Sequence, residues 1–225
     1  MKLPNKNLER RLLANGYSLI CGVDEVGMGC LAGPVVVCAV SLTKNFYIKN
    51  RVGLRGLRES KLLSAKQREV FALKLLKNKN LKFKICYAYP KTIDRLNIYQ
   101  ATRQAMKRAV LKITKGTFTV QKVPFVILVD GPHKIPGLNI DQQAIIKGDR
   151  NVFIIACASI IAKVYRDRMM IRYAKKYPGY GFEIHKGYGT KYHQEKLTKL
   201  GPCTIHRRSF APVAKLVTIE APWLK

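Results

Sequence analysis

The chain alternates short apolar blocks with longer amphipathic ones. Apolar runs, together with one segment that alternates apolar and polar residues, predict strands. The predicted strands are residues 19–23, 34–42, 81–89, 124–129 and 142–146. Apolar positions at helical spacing predict helices. One predicted helix begins at Ser64, which is a plausible N-cap. The other predicted helices cover residues 92–113, 152–173 and 192–200. The basic, glycine-punctuated segment 45–60 is predicted to be a loop. Because strands precede helices several times, the pattern predicts an α/β layered fold.

The length of 225 residues and the hydrophobic content of 48% are sufficient for one domain with a buried core. We expect a single domain over residues 1–225, with a basic N-terminal arm or helix at 1–16 and a helical, basic segment from about 186 to 225. The sequence has neither a long apolar run nor a secretory signal. We therefore expect a cytoplasmic protein without a membrane partner, and a monomer by default.

The charge is strongly asymmetric, with 42 Lys and Arg against 13 Asp and Glu, a formal net charge of +29. Such a chain is typical of proteins that bind a polyanion, above all nucleic acid. A generally lysine-rich surface is the alternative, and composition does not distinguish the two. The cysteines form no C-x-x-C pair and the histidines no H-x-x-x-H pair. We expect buried free thiols and no metal site built on Cys or His.

The positions of the acids change this picture. Asp24, Glu25, Asp130 and Asp149 stand at the ends of apolar segments rather than on solvated helix faces. In an α/β fold, strand ends are where functional sites gather. Carboxylates without a His or Cys cluster suit Mg²⁺ or Mn²⁺, and such a set predicts two-metal phosphodiester hydrolysis. The alternative is a turn or helix-cap role, particularly for Asp149 before a predicted helix.

A glycine-rich run at residues 27–34 follows the acidic pair directly. Glycines allow a sugar–phosphate backbone to approach the main chain closely. The alternative is a tight loop that leads into the next strand.

Six stretches resemble, in the same order, motifs of the bacterial ribonuclease HII family, and the resemblance covers residues 16–213. They are GVDEVGMGCLAGPVVVCAV (22–40), LRESKLLSAKQRE (57–69), IDRLNIYQATRQAMKRAV (93–110), VDGPHKIP (129–136), KGDRNVFIIACASIIAKVYRDRMM (147–170) and HKGYGTKYHQEKLTKLGPCTIHRRSFAPV (185–213). The resemblance implies an RNase H-like fold, with a mixed central sheet flanked by helices and a small C-terminal helical part.

The resemblance also implies an activity. Family members cleave the RNA strand of RNA–DNA hybrids and nick duplex DNA on the 5′ side of an embedded ribonucleotide, leaving a 3′-hydroxyl and a 5′-phosphate, a step in ribonucleotide removal. The metal-binding and catalytic acids of the family correspond to Asp24, Glu25, Asp130 and Asp149, and the implied cofactor is a pair of Mg²⁺ or Mn²⁺ ions.

Further residues correspond to substrate contacts of the family. Gly27, Met28 and Gly29, which we call the glycine element, match the element that reads the ribose 2′-hydroxyl through its backbone. Tyr188 matches the tyrosine that packs on the neighbouring deoxyribose, although alone it would read as an exposed loop residue. The basic pair Arg207-Arg208 is expected either to contact the duplex backbone or to be solvated surface charge.

The sequence departs from the family pattern at three positions. Met28 replaces an arginine, Cys30 replaces a proline and Glu59 replaces an aspartate. Ser60 and Lys61, which follow Glu59, are retained as expected substrate contacts, and Lys61 could equally be an ordinary surface lysine. These changes bear on substrate preference and leave the four carboxylates intact.

Two other functions remain open at this stage. A basic nucleic-acid-binding protein without catalysis would account for the charge of +29, but acids at strand ends would repel phosphate. A ribonuclease HIII-type enzyme with a different substrate preference is the second.

Overall fold

The computed structural model describes residues 3–49, 54, 56–115 and 124–219. The strands are β1 (Leu19–Val26), β2 (Val35–Thr43), β3 (Leu81–Ala88), β4 (Phe125–Asp130) and β5 (Asp141–Ile145). The helices are α1 (Asn7–Ala14), α2 (Lys44–Lys49), α3 (Ala65–Leu76), α4 (Pro90–Leu96), α5 (Ile98–Thr114), α6 (Gly148–Asn151), α7 (Phe153–Lys176), α8 (Phe182–His185), α9 (Lys191–Leu200) and α10 (Ala211–Ile219). The α/β class and the RNase H-like architecture predicted from the sequence are confirmed.

The strands form one mixed sheet in the order β3-β2-β1-β4-β5. β1 pairs with β4 in parallel, from Leu19 opposite Phe125 to Val23 opposite Val129. β4 pairs with β5 in parallel and ends with Asp130 opposite Ile145. Since parallel strands end at the same edge of a sheet, this register brings the acidic ends of β1 and β4 to one edge.

Two compact units make up the described chain. The first is drawn from residues 1–26, 37–86 and 105–164, and the second from residues 27–36, 87–104 and 165–225. All four candidate carboxylates belong to the first unit, whereas the glycine element and Tyr188 belong to the second. Every helix of the described residues is too short or too polar to span a bilayer.

Close packing of a helix on the sheet holds the first unit together. A Cβ added at Gly22 of β1 would lie 2.7 Å from the backbone carbonyl of Ile154 in α7. The first half of α7 is rich in small residues, and Ala156, Cys157 and Ala158 are fully buried. Small side chains on both surfaces let the two backbones approach, so this part of the core depends on shape as well as on apolar area.

The N-terminal helix α1 places a carboxyl group in this core. Glu9 is fully buried, and one of its carboxylate oxygens accepts a hydrogen bond from the backbone N–H of Ile154 at 3.0 Å. Burial raises the pKa of Glu9 from 4.5 to about 7. The predicted basic N-terminal arm or helix is thus a helix that contributes to the interior.

Several helix boundaries differ from the sequence prediction for identifiable reasons. The segment expected to be a loop begins with α2, because Phe46 is fully buried and stacks on Phe153. Residues 50–53 and 55 of that segment lie outside the described residues. The helix predicted at 92–113 is two helices, divided at Asn97, which has φ +65° and accepts a hydrogen bond from Gln100 N–H through its side chain. Asn tolerates this left-handed conformation better than most residues do.

Candidate active site

Two acidic side chains stand near the end of β1. Asp24 is only 4% exposed, and its Oδ1 accepts a hydrogen bond from the backbone N–H of Glu25 at 2.8 Å. The adjacent Glu25 is half-buried. Two successive acids thus lie in a largely buried strand, in which neighbouring side chains point to opposite faces of the sheet. Uncompensated negative charge in such surroundings is energetically costly.

The next strand of the sheet supplies the third acid and positions the fourth. Asp130 is the last residue of β4, and its Oδ1 accepts a hydrogen bond from the backbone N–H of Gly148 at 2.7 Å. Gly148 begins the short helix α6, whose second residue is Asp149. The sequence left open that Asp149 is a helix cap, but it lies inside α6 and Lys147 occupies the cap position. The Asp130–Gly148 hydrogen bond thus ties the segment that carries Asp149 to the end of β4.

The four acids lie within electrostatic range of one another. Burial is the largest cause of a raised pKa at Asp24, followed by the charges of Glu25 and Asp130. Burial and then Asp130 raise the pKa of Glu25 from 4.5 to about 7. The pKa of Asp149 is also raised, by burial and then by Asp130. The pKa values of Asp24, Glu25 and Asp149 are thus raised by burial and by neighbouring negative charge, which is typical of functional sites.

A lysine and an ion pair border this group of carboxylates. The exposed Lys61 partly opposes the rise in the pKa of both Glu25 and Asp149. Glu59 is 3% exposed and pairs with Arg150, with its Oε2 2.7 Å from Nε. Glu59, the longer replacement for the family's aspartate, therefore binds the side chain next to Asp149.

Ser60 and Lys61 occupy different environments although they are adjacent. Ser60 is only 3% exposed, and its hydroxyl lies 3.0 Å from that of Ser159, which is also buried. Hydrogen bonding from Ser159 in turn opposes the rise in the pKa of Asp24. The side chain of Ser60 thus belongs to the support of the carboxylates, while that of Lys61 is open to solvent.

The donors in this region fit a hard divalent cation. Carboxylate oxygens are the ligands that Mg²⁺ and Mn²⁺ prefer, and a cation would remove the mutual repulsion that raises these pKa values. Among the described residues, no three His, Cys, Asp or Glu side chains already form a complete ligand set. The six cysteines are free thiols, five buried and Cys203 half-buried, as predicted.

The glycine element occupies a turn in the second unit. Gly27 has φ +99°, and a side chain there would also overlap the guanidinium of Arg166, so both conformation and space require glycine. Gly29 is exposed and has open space around it. Arg207 is fully buried and donates hydrogen bonds to carbonyls of this element. The expectation that Arg207 contacts the duplex or is solvated is therefore wrong, whereas Arg208 is exposed.

Comparison with known proteins identifies the family. The profile of the family described as Ribonuclease HII matches residues 21–213.

The chain belongs to the ribonuclease HII family.

It is 48% identical over 205 residues to a Ribonuclease HII of Caldicellulosiruptor bescii, covering 90% of this chain and 91% of that one. It is 43% identical over 212 residues to a Ribonuclease HII of Endomicrobium trichonymphae, covering 94% of each. It is also similar to the crystal structure of the ribonuclease H2 from Pyrococcus horikoshii OT3, with a TM-score of 0.68, 26% identity and coverage of 88% and 96%. The protein is thus an endonuclease of the ribonuclease H type 2 class.

Tyr188 of this ribonuclease HII lies on a loop fixed by its backbone. It forms an antiparallel bridge with Cys30, and its carbonyl oxygen is 2.8 Å from Nδ1 of His193. Its side chain is 37% exposed, with the guanidinium of Arg166 5.8 Å from the ring centroid. The ring is thus partly available at the surface, while the main chain is anchored.

Behind this loop is a cluster of histidines that the sequence did not reveal. The backbone N–H of Cys203 donates to Nδ1 of His206 at 3.0 Å, so His206 carries its proton on Nε2. Nε2 of His206 lies 3.1 Å from Nε2 of His193 and donates to it. The proton of His193 is then on Nδ1, which donates to the carbonyl oxygen of Tyr188. Burial lowers the pKa of His193 and of His206 from 6.5 to about 4, which keeps both neutral.

Sequence reasoning in this family member missed the supporting residues rather than the acids. Nothing in the local sequence of Arg166, Arg207 or His193 distinguishes them from the many basic residues of a chain with a net charge of +29. The available signal was their position inside family motifs, which indicated importance without indicating a partner.

Proposed function

We propose that this ribonuclease HII cuts the RNA strand of RNA–DNA hybrids and nicks duplex DNA on the 5′ side of an embedded ribonucleotide, leaving a 3′-hydroxyl and a 5′-phosphate. One observation carries the proposal: at the ends of β1 and β4 and the start of α6, burial and the charge of neighbouring acids raise the pKa values of Asp24, Glu25 and Asp149. In a chain with a net charge of +29, concentrating negative charge where phosphate must approach has a purpose only if cations intervene.

Asp24, Glu25, Asp130 and Asp149 would hold two divalent ions, Mg²⁺ or Mn²⁺. When bound, such ions stabilise the charge on the phosphate that is cut and activate the attacking water. The protein's part is orientation: the bond from Gly148 N–H leaves the second oxygen of Asp130 available, and Glu25 N–H similarly binds one oxygen of Asp24. The raised pKa of Glu25 implies that metal binding releases a proton near neutral pH.

Lys61 would contact a phosphate of the substrate, since it is exposed and lies within electrostatic range of two of the acids. Ser60 would act indirectly, because its hydroxyl is buried against Ser159, which hydrogen-bonds towards Asp24. We therefore assign Ser60 to the support of the metal site rather than to a direct side-chain contact.

The glycine element and Tyr188 would recognise the ribonucleotide. Gly29 is exposed in a turn without a side chain, so nucleic acid can approach its backbone closely. Backbone N–H groups can hydrogen-bond a 2′-hydroxyl, the group that distinguishes RNA from DNA, and this readout does not need the arginine that Met28 replaces. The partly exposed ring of Tyr188 offers an apolar face to a sugar.

The test is cleavage of a 5′-labelled duplex that contains one ribonucleotide, with Mg²⁺, Mn²⁺ or EDTA. We expect one metal-dependent nick 5′ of the ribonucleotide, with a product end that a DNA polymerase extends because it carries a 3′-hydroxyl. Asp130→Asn should abolish the nick, whereas Asp141→Asn, an equal charge change at an exposed aspartate on β5, should not. Cleavage in EDTA or full activity of Asp130→Asn would contradict the proposal.

Duplexes with one and with several consecutive ribonucleotides distinguish this proposal from the ribonuclease HIII-type alternative. Efficient cleavage at a single ribonucleotide supports the proposed specificity. Cleavage restricted to longer RNA stretches would favour the alternative.

A further inference from the structure

Two arginines in the second unit are fully buried, Arg166 and Arg207. A buried guanidinium needs partners for its N–H groups, because an unsatisfied buried charge is strongly unfavourable. Arg207 donates to the carbonyls of Gly27 and Met28, each at 2.6 Å, and to that of Gly33 at 2.9 and 3.1 Å. Burial lowers the pKa of Arg207 to about 10, so it remains charged at neutral pH.

These hydrogen bonds determine the direction of two peptide groups. In a trans peptide unit the C=O and the following N–H point in opposite directions. Holding the carbonyl of Gly27 therefore directs the N–H of Met28 away from Arg207, and holding the carbonyl of Met28 does the same for the N–H of Gly29. One side chain thus orients two consecutive backbone donors.

The glycine element has open space on the side of Gly29. Gly29 is exposed, and no heavy atom lies within 4 Å of the position that its Cβ would occupy. Within the part of the chain that the structure describes, neither the N–H of Met28 nor that of Gly29 donates to a backbone carbonyl. Two adjacent donors that are held rigidly and left available are suited to a hydroxyl or phosphate oxygen of a ligand.

We propose that Arg207 is a positioning residue that sets the preference for a ribonucleotide: it touches no nucleic acid but holds Gly27 and Met28 so that the N–H groups of the glycine element face the 2′-hydroxyl. The inference rests on the proposed recognition role of that element. It gives Arg207 a function in selectivity that is separate from non-specific attraction between a basic surface and phosphate, which depends on exposed charge.

Arg166 provides a matched control. It is equally buried, but it donates to Pro34 O at 3.0 Å, to Ala32 O at 3.1 Å and to Lys186 O at 2.8 Å, and so makes none of these bonds to the glycine element. Arg166→Lys and Arg207→Lys each replace a fully buried guanidinium by an ammonium, which cannot reproduce its planar set of donors. Both should destabilise the fold similarly, but only Arg207→Lys should remove hydrogen bonds to the glycine element, because Arg166 contacts that element through packing against Gly27.

The experiment measures dissociation constants for two duplexes of the same sequence, one all-deoxy and one with a single ribonucleotide. Ca²⁺ replaces Mg²⁺, and gels verify that the substrate stays intact. The wild type should prefer the ribonucleotide duplex. In Arg207→Lys that preference should fall about tenfold, the equivalent of losing one or two hydrogen bonds, while affinity for the all-deoxy duplex stays within about twofold. Arg166→Lys, which keeps the hydrogen bonds from Arg207 to Gly27 and Met28, should lose clearly less of the preference than Arg207→Lys does.

Each outcome has a distinct meaning. Equal binding of both duplexes by the wild type would contradict the proposed recognition itself, whereas a wild-type preference that persists in Arg207→Lys would overturn only the role of Arg207. If Arg207→Lys does not fold, Arg207→Gln is measured, since it buries no new charge. Amide hydrogen exchange on the wild type gives a test without variants: ribonucleotide duplex must protect the N–H groups of Met28 and Gly29 more than all-deoxy duplex does, or the proposal fails.

Discussion

Replacing Asp130 by Asn should stabilise the metal-free protein. The substitution removes one negative charge but keeps the shape of the side chain and an Oδ1 that still accepts the hydrogen bond from Gly148 at 2.7 Å. Asp130 is the largest electrostatic cause, after burial, of the raised pKa values of Glu25 and Asp149, and it also acts on Asp24. The repulsion that it exerts opposes folding whenever no cation is present.

The size of the effect follows from these pKa values. Burial and neighbouring charge raise the pKa of Glu25 from 4.5 to about 7. A tenfold change in acid dissociation that is due to Asp130 corresponds to about 1.4 kcal/mol at a pH where the acids are ionised. Because Asp130 acts on three neighbours, we expect Asp130→Asn to raise the free energy of unfolding by about 1–3 kcal/mol at pH 8 in EDTA.

Urea unfolding at pH 8, in EDTA and in saturating Mg²⁺, measures this effect. Mg²⁺ should stabilise the wild type much more than it stabilises Asp130→Asn. The difference in free energy of unfolding between the two proteins should therefore shrink or change sign when Mg²⁺ is added. Asp141→Asn carries the same charge change at the exposed aspartate that accepts a hydrogen bond from Tyr17, and should not be stabilised in EDTA. An Asp130→Asn protein that is less stable than the wild type in EDTA would refute the reasoning.

Three further changes test the interior. Gly22→Ala should lower the free energy of unfolding by about 2–3 kcal/mol in urea titration, because its Cβ would lie 2.7 Å from the Ile154 carbonyl; an unchanged midpoint would exclude this close packing. The folded-state pKa of Glu9 is raised to about 7, so the wild type loses stability as pH rises from 4.5 to 7. Across that range the free energy of unfolding of Glu9→Gln should rise by up to about 3 kcal/mol relative to that of the wild type. A difference between the two proteins that does not change with pH would contradict this. The folded-state pKa of His206 is lowered from 6.5 to about 4, so stability falls as pH falls through that window. His206→Gln should reduce the slope of the free energy of unfolding against pH by about 1.4 kcal/mol per pH unit, measured by acid titration followed by circular dichroism. The same pH dependence in the variant and the wild type would refute this.

The four acids could be proposed from the sequence because their signal is local. A buried strand is a run of apolar residues, so an ionisable residue at its end is conspicuous in one dimension, as Asp24 and Asp130 are. The sequence similarly predicts an N-cap at Ser64, and Ser64 forms a capping box with Gln67. Both cases depend only on residues that are neighbours in the chain.

The helices α2 and α4–α5 show where local pattern fails. Segment 45–60 is basic and contains glycine, which favours a loop, but burial of Phe46 against Phe153 stabilises a helix at its start. Apolar periodicity continues through Asn97, yet its φ of +65° ends one helix there and begins the next. Tertiary packing in the first case, and one residue's backbone conformation in the second, overrode the average preference of the segment.

The amino-acid sequence by itself determined the α/β class and the family, and it singled out the four acids that we propose as metal ligands, because apolar patterning and contiguous motifs are properties of the chain. Only the tertiary structure decided what the basic residues do. Arg207 and Gly27 are 180 residues apart, and their hydrogen bond is invisible in a sequence with 42 basic side chains. Desolvating a charge is costly, so a guanidinium can be buried only where the fold brings carbonyl groups to accept its hydrogen bonds. The presence of those acceptors, rather than the residue type, decides whether an arginine is buried or solvated.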